Sequence, residues 1–170
     1  MFNQRISMTS ALPVSFHRMG AFLIVSVLAL FAATAALGQA PESRYVEKMR
    51  IPGAQQVVVV AEGEFEPRSV GSYTLRLYAG VPANFPTDRL VMGIVRPRDG
   101  TIDSVRFADL DGDGSVEIIV AMRSAGTGGY LSADAFSFSD TSLRPVAAVA
   151  GLDKSADPVG ALRHKFRQPN

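Results

Sequence analysis

Downstream of residue 44 the apolar positions fall into short runs broken by Gly, Pro and Asp. Ser72–Tyr78 shows the pattern best. Tyr73, Leu75 and Leu77 alternate with Thr74, Arg76 and Tyr78, the period of two that puts successive side chains on opposite faces of a half-buried strand. Gln56–Ala61 is continuous and β-branched, which predicts a strand buried on both faces. Tyr45–Ile51, Arg89–Val95, Thr101–Ala108, Ser115–Met122, Tyr130–Phe138 and Leu143–Val149 read as further strands, and Pro145 marks the last as an edge. Turn signals separate them. Pro52-Gly53-Ala54, the proline-bearing stretch Val81–Thr87 and Ser139-Asp140 are three; Arg96–Gly100 ends in an Asp-Gly step, a tight-turn signal between strands. The period changes once. Asp157 can cap a helix and Pro158 suits its first position, after which Val159, Leu162 and Phe166 recur at helical spacing. Arg163, Lys165 and Arg167 then suit the negative end of the helix dipole, or are simply a solvated helix end.

Many short strands at close spacing predict a mainly β protein, an antiparallel sandwich or barrel-like sheet with one short C-terminal helix. There is no alternation of strand and helix, which argues against a parallel nucleotide-binding sheet. The N-terminal pattern is different in kind. Arg5 and Arg18 are the only charged side chains before Glu42, Gly20–Leu37 is almost wholly apolar, and small residues follow. That order is a secretory signal peptide. Ala36-Leu37-Gly38 has small residues at both recognition positions, so cleavage is expected after Gly38; a cut after Ala40 would place Pro41 next to the bond. The alternative is an uncleaved anchor, since a span needs about 20 apolar residues. The expected organisation is a leader at 1–38 and a single β-rich domain at 39–170, which is long enough for a self-supporting core. Export without cysteine fits a bacterial periplasm, with no membrane association after cleavage.

Charge and composition remove several functions. Seventeen basic and sixteen acidic residues leave a charge of +1, without the basic patch that nucleic acid needs. There is no cysteine nucleophile, and His164 is the one histidine after the leader. A Ser–His–acid triad or a histidine-based zinc site has little to draw on. Gly126-Thr127-Gly128-Gly129 lacks the Lys-Ser/Thr pair and the helix of a phosphate loop. Glu62, Glu64 and Glu66 are carboxylates on a turn, weak grounds for glycosidase chemistry. A non-enzyme is expected.

Two turns carry unusual chemistry. Asp109, Asp111, Asp113, Gly114, Ser115 and Glu117 match positions 1, 3, 5, 6, 7 and 9 of a calcium loop. Position 12, where a bidentate Glu belongs, is Val120, and the flanks are strands. The turn therefore reads either as a calcium site completed from elsewhere or as a hairpin whose aspartates bond their own backbone. No cofactor is required. The second turn, Ser124–Tyr130, is thin: Gly126, Gly128 and Gly129 remove side chains, while Thr127 and Tyr130 supply hydroxyls that donate or accept hydrogen bonds. It reads either as a contact loop or as an ordinary connection with Tyr130 packed inward. Arg68–Tyr73 echoes Arg123–Tyr130, so Ser69, Gly71, Ser72 and Tyr73 form a reserve candidate.

Taken together, VVVVAEGEFEPRSVGSYTLRLY (57–78), FPTDRLVMGIVRPRDGTI (85–102), DLDGDGSVEIIVAMRSAGTGGYLSADAF (109–136) and DPVGAL (157–162) resemble the periplasmic inhibitors of invertebrate-type (i-type) lysozyme. The resemblance implies a small β-rich periplasmic protein that binds host lysozyme, and a homodimer is in keeping with it. It also implies a protruding Ser-Gly-Ser-Tyr-like loop whose first Ser and Tyr bond the catalytic carboxyls. Thr127, Gly128, Gly129 and Tyr130 occupy those positions; Thr127 adds a methyl and Gly129 lacks a hydroxyl. The competing readings are a calcium-stabilised extracytoplasmic adhesion module, carried by the aspartate turn, and a small periplasmic hydrolase, carried only by the unassigned glutamates.

Overall fold

The computed structural model describes residues 43–167, so the leader expected at 1–38 lies outside the described residues. The strands are β1 (Val46–Arg50), β2 (Val57–Glu62), β3 (Val70–Tyr78), β4 (Leu90–Asp99), β5 (Thr101–Ala108), β6 (Glu117–Arg123), β7 (Leu131–Phe138) and β8 (Leu143–Leu152). One helix, α1 (Pro158–Arg167), follows. The strands form two antiparallel four-stranded sheets, in the orders β1-β2-β3-β4 and β5-β6-β7-β8. The expected mainly β class is therefore observed, as two sheets rather than one closed sheet. Among the described residues no helix is long and apolar enough to cross a membrane.

The alternation read in β3 is the structure's alternation. Tyr73, Leu75 and Leu77 are fully buried, and they pack with Val58 and Val60 of β2 against Ile118, Val120 and Met122 of β6 and Phe136 of β7. This cluster lies between the sheets. A second cluster forms where α1 covers the outer face of the β5–β8 sheet. There Leu162, flanked by Val159 and Phe166, meets Ile119, Ala121, Ala133 and Ala135. β6 is thus the strand buried on both faces, from Glu117 to Met122. The sequence pattern points instead to Gln56–Ala61. In β2, Val59 and Ala61 are only half-buried, because among the described residues no helix covers that side of its sheet.

The helix starts as its sequence requires. Asp157 Oδ1 accepts from the Val159 amide and Oδ2 from the Gly160 amide, both at 3.0 Å. β8 pairs only with β7 and is an edge, as Pro145 indicates.

Two boundaries differ from expectation. β4 runs on through Pro97 to Asp99, because β4 is also an edge and a residue lacking an amide hydrogen fits there. The Asp99-Gly100 step is not a hairpin within a sheet. It is the corner at which the chain leaves one sheet and enters the other. Gly100 has φ +84°, and a Cβ there would run into the Arg123 carbonyl, so the corner admits only glycine.

The registers set the ends of the molecule. Val70 faces Asp99, Thr101 faces Arg123, and Leu131 faces both Arg123 and Leu152. The turns 63–69, 124–130 and 153–157 and the Gly100 corner therefore gather at one end. The 51–56, 79–89, 109–116 and 139–142 turns lie at the other.

Candidate functional site

The thin turn grows out of β6 and β7 as a finger. The Ser124 amide donates to the Tyr130 carbonyl at 2.9 Å and closes its base, and the Gly129 amide donates to the Gly126 carbonyl at 3.0 Å and folds its tip. Gly126, Thr127 and Gly128 are exposed, and Tyr130 is 56% exposed, so the tyrosine is not packed inward. Its ring lies back over the finger: a Cβ on Gly128 would sit 2.5 Å from Tyr130 Cε2 and 2.9 Å from Cδ2. Glycine at 128 thus lets the aromatic ring brace the backbone beside Thr127.

A further residue holds the finger, one that pattern alone did not single out. Arg123, the last residue of β6, donates from Nη1 to the Gly129 carbonyl at 3.2 Å and to the Lys154 carbonyl at 3.3 Å. Its Nε donates to Asp103 at 2.8 Å. One guanidinium thereby ties the finger to β5 and to the turn before α1. Its donors are spread over three partners, geometry that lysine could not reproduce.

The reserve turn is built differently. Tyr73 is buried, and its hydroxyl donates to Asp134 Oδ2 at 2.6 Å, where Arg96 Nε also donates at 3.3 Å. Burial, and then the Asp134 carboxylate as acceptor, push this hydroxyl's pKa far up. Tyr73 is a core residue and presents no side chain to a partner. Ser72 is engaged too: its hydroxyl donates to Glu66 at 2.7 Å, and its amide donates to the same carboxylate. These bonds hold the half-buried Glu66 carboxyl below its ordinary range. Ser69 ends the turn and Gly71 lies in β3, with the Ser69 carbonyl accepting from the Gly100 amide at 2.7 Å.

Beneath this turn sits Arg98, whose side chain is fully buried. It donates to the carbonyls of Arg68 at 2.9 Å, Pro67 at 3.2 Å and Ser72 at 3.3 Å, and to that of Gly100. The three glutamates read as unassigned differ in their surroundings. Glu62 is buried and accepts from the Ile102 amide at 2.7 Å, Glu66 holds Ser72, and Glu64 is exposed.

At the opposite end, the aspartate turn bonds its own backbone. Asp109 accepts from the amides of Gly112 at 2.6 Å and Gly114 at 3.0 Å, Asp111 from Asp113 at 3.1 Å, and Asp113 from Ser115 at 2.7 Å. Glu117, buried, accepts from the Leu110 amide at 2.9 Å. The Gly112 and Gly114 amides hold the Asp109 carboxyl below its usual range; burial, and then the neighbouring aspartates, raise that of Glu117. Carboxylate oxygens of Asp109, Asp111 and Glu117 all lie within 4.8 Å of one another, the hard-oxygen set that would suit calcium. Asp113 is not part of that trio, and its carboxylate accepts from the Ser115 amide within the turn.

The finger, its arginine brace and the braced turn beside it occupy one end of a two-sheet protein. The sequence profile of the periplasmic lysozyme inhibitors of I-type lysozyme matches residues 43–166. The chain belongs to this family. Two solved structures share its fold. The inhibitor of I-type lysozyme from Aeromonas hydrophila is 44% identical, with a TM-score of 0.66 over 69% of this chain and 98% of its own. The Aeromonas hydrophila inhibitor in complex with Meretrix lusoria lysozyme is 42% identical, with a TM-score of 0.66 over 74% of this chain and 98% of its own. No curated protein sequence matches the chain. The family is periplasmic, in agreement with the export expected from the sequence.

Proposed function

We propose that this chain inhibits i-type lysozyme by placing the Gly126–Tyr130 finger in the enzyme's substrate cleft. The observation that carries the reading is the family match over 43–166, joined to a relative crystallised with a lysozyme. The exposure of Thr127 and Tyr130 supports the finer part. Retaining glycosidases carry two carboxyl groups about 5 Å apart, one of them protonated as general acid. A hydroxyl donates as readily as it accepts, so Thr127 and Tyr130 suit both members of such a pair. Each hydrogen bond to a charged partner is worth about 1.5–3 kcal/mol, and the surrounding contact area supplies the rest. The finger excludes sugar and water, and the inhibitor needs no cofactor for that. The Thr127 methyl narrows the range of clefts that accept the tip. A homodimer would draw on exposed edge positions such as Val95 of β4.

The test is a binding and activity assay against i-, c- and g-type lysozymes. Inhibition of the i-type enzyme is expected, and Tyr130→Ala and Thr127→Val should each weaken it with little change in Tm. A double variant that inhibits as well as the wild type removes the finger from the mechanism.

A further inference from the structure

Phe65 is 98% exposed, the most exposed large apolar side chain among the described residues. It also has φ +62°, which no other described non-glycine residue shares in the left-handed region. Both features cost the isolated protein stability: an L residue with a Cβ is strained there, and an aromatic ring in water gains nothing from burial. The surrounding backbone nevertheless holds it firmly. The four carbonyls that follow are all bonded: Glu66 to Arg44, Pro67 and Arg68 to the buried Arg98, and Ser69 to the Gly100 amide. The Glu66 side chain closes the turn onto Ser72. Strain maintained by so complete a set of bonds is a feature of contact sites.

This turn is continuous with the finger. Gly100, whose amide donates to the Ser69 carbonyl, packs directly on the Arg123 carbonyl and Ser124 Cα at the finger's base. We infer that Phe65 is a second anchor of the lysozyme interface, docking on an apolar patch at the rim of the carbohydrate cleft while the finger occupies the cleft itself. The inference rests on the proposed function and names a contact surface beyond it. A rigid aromatic that loses little entropy and is presented beside the central contact fits the profile of an interface hot spot.

The experiment measures inhibition of i-type lysozyme and Tm for the wild type, Phe65→Asn, Phe65→Tyr and Tyr130→Ala. Asparagine tolerates positive φ and removes the ring. Phe65→Asn is expected to weaken inhibition by about tenfold with an unchanged or higher Tm, and Phe65→Tyr to inhibit within about twofold of the wild type. If Tyr130→Ala loses inhibition and Phe65→Asn does not, the second anchor falls and the finger stands. Equal losses in Phe65→Asn and Phe65→Tyr also overturn it, because the ring face would then not be the contact. A wild-type protein that inhibits no lysozyme overturns both readings.

Discussion

Tyr73 and Tyr130 follow similar Arg-Ser-containing stretches and end in opposite surroundings. Tyr73 shares its strand face with Leu75 and Leu77, and that period of two places it in the core. Tyr130 precedes β7, outside any alternation, and stays exposed. The distinction was present in the pattern, but the echo in local sequence masked it. The two tyrosines should separate experimentally. Tyr73→Phe removes a donor from the buried Asp134 and should cost about 1.5–3 kcal/mol in urea unfolding, while inhibition at a temperature where the variant is folded stays unchanged. Glu117 offers a pH-dependent test. Its carboxyl pKa is raised above the ordinary 4.5, so the folded state holds the proton more tightly than the unfolded one. The stability linked to that proton is present at low pH and is lost as pH rises from about 4.5 through the raised value. Glutamine can still accept from Leu110 and carries no charge. Glu117→Gln should therefore melt above the wild type at pH 7, with the gap narrowing toward pH 4 in a thermal scan series.

At the scale of elements, alternation and capping were readable and long-range polar contacts were not. β3 is visible in its alternation, and α1 in Asp157, Pro158 and the 159, 162, 166 spacing. The double burial of β6 depends on where α1 docks, which no local pattern encodes. Arg98 and Arg123 show the same limit. Each reads as a polar residue at a strand end, yet Arg98 is buried under one turn and Arg123 braces the other. Each has a hydrogen-bond partner 31 residues away in sequence, Pro67 for Arg98 and Lys154 for Arg123. The brace has a measurable consequence. Arg123→Ala removes a partly exposed ion pair, worth about 0–1 kcal/mol, and frees the Gly129 carbonyl. Stability should change little. Inhibition should weaken because a looser finger must be ordered on binding, and calorimetry should show the loss as a less favourable entropy.

On the scale of the whole molecule, the two sheets and the two turns meet at Gly100. Its amide holds the Ser69 carbonyl, its carbonyl accepts from Arg98, and its Cα lies against the Arg123 carbonyl. The Asp-Gly step announced a turn, but a hairpin and a sheet-to-sheet corner share that local chemistry; only the pairing of β4 with β3 and of β5 with β6 separates them. A corner that joins fold and interface predicts coupled damage. Gly100→Ala places a Cβ against backbone, which no rotamer change relieves, at a φ that alanine tolerates poorly. Relief requires the strand ends to separate, breaking the Ser69 and Arg98 contacts together. The expected result is a loss of about 3 kcal/mol or more in chemical unfolding, from strain together with buried carbonyls left unpaired. Inhibition should fall along with it, since both the finger and the Phe65 turn lose their shared support. Tyr130→Ala, by contrast, should lower inhibition and leave the unfolding curve in place. A Gly100→Ala variant with wild-type stability would show that the corner relaxes freely, and would remove the argument that the two turns are held as one unit.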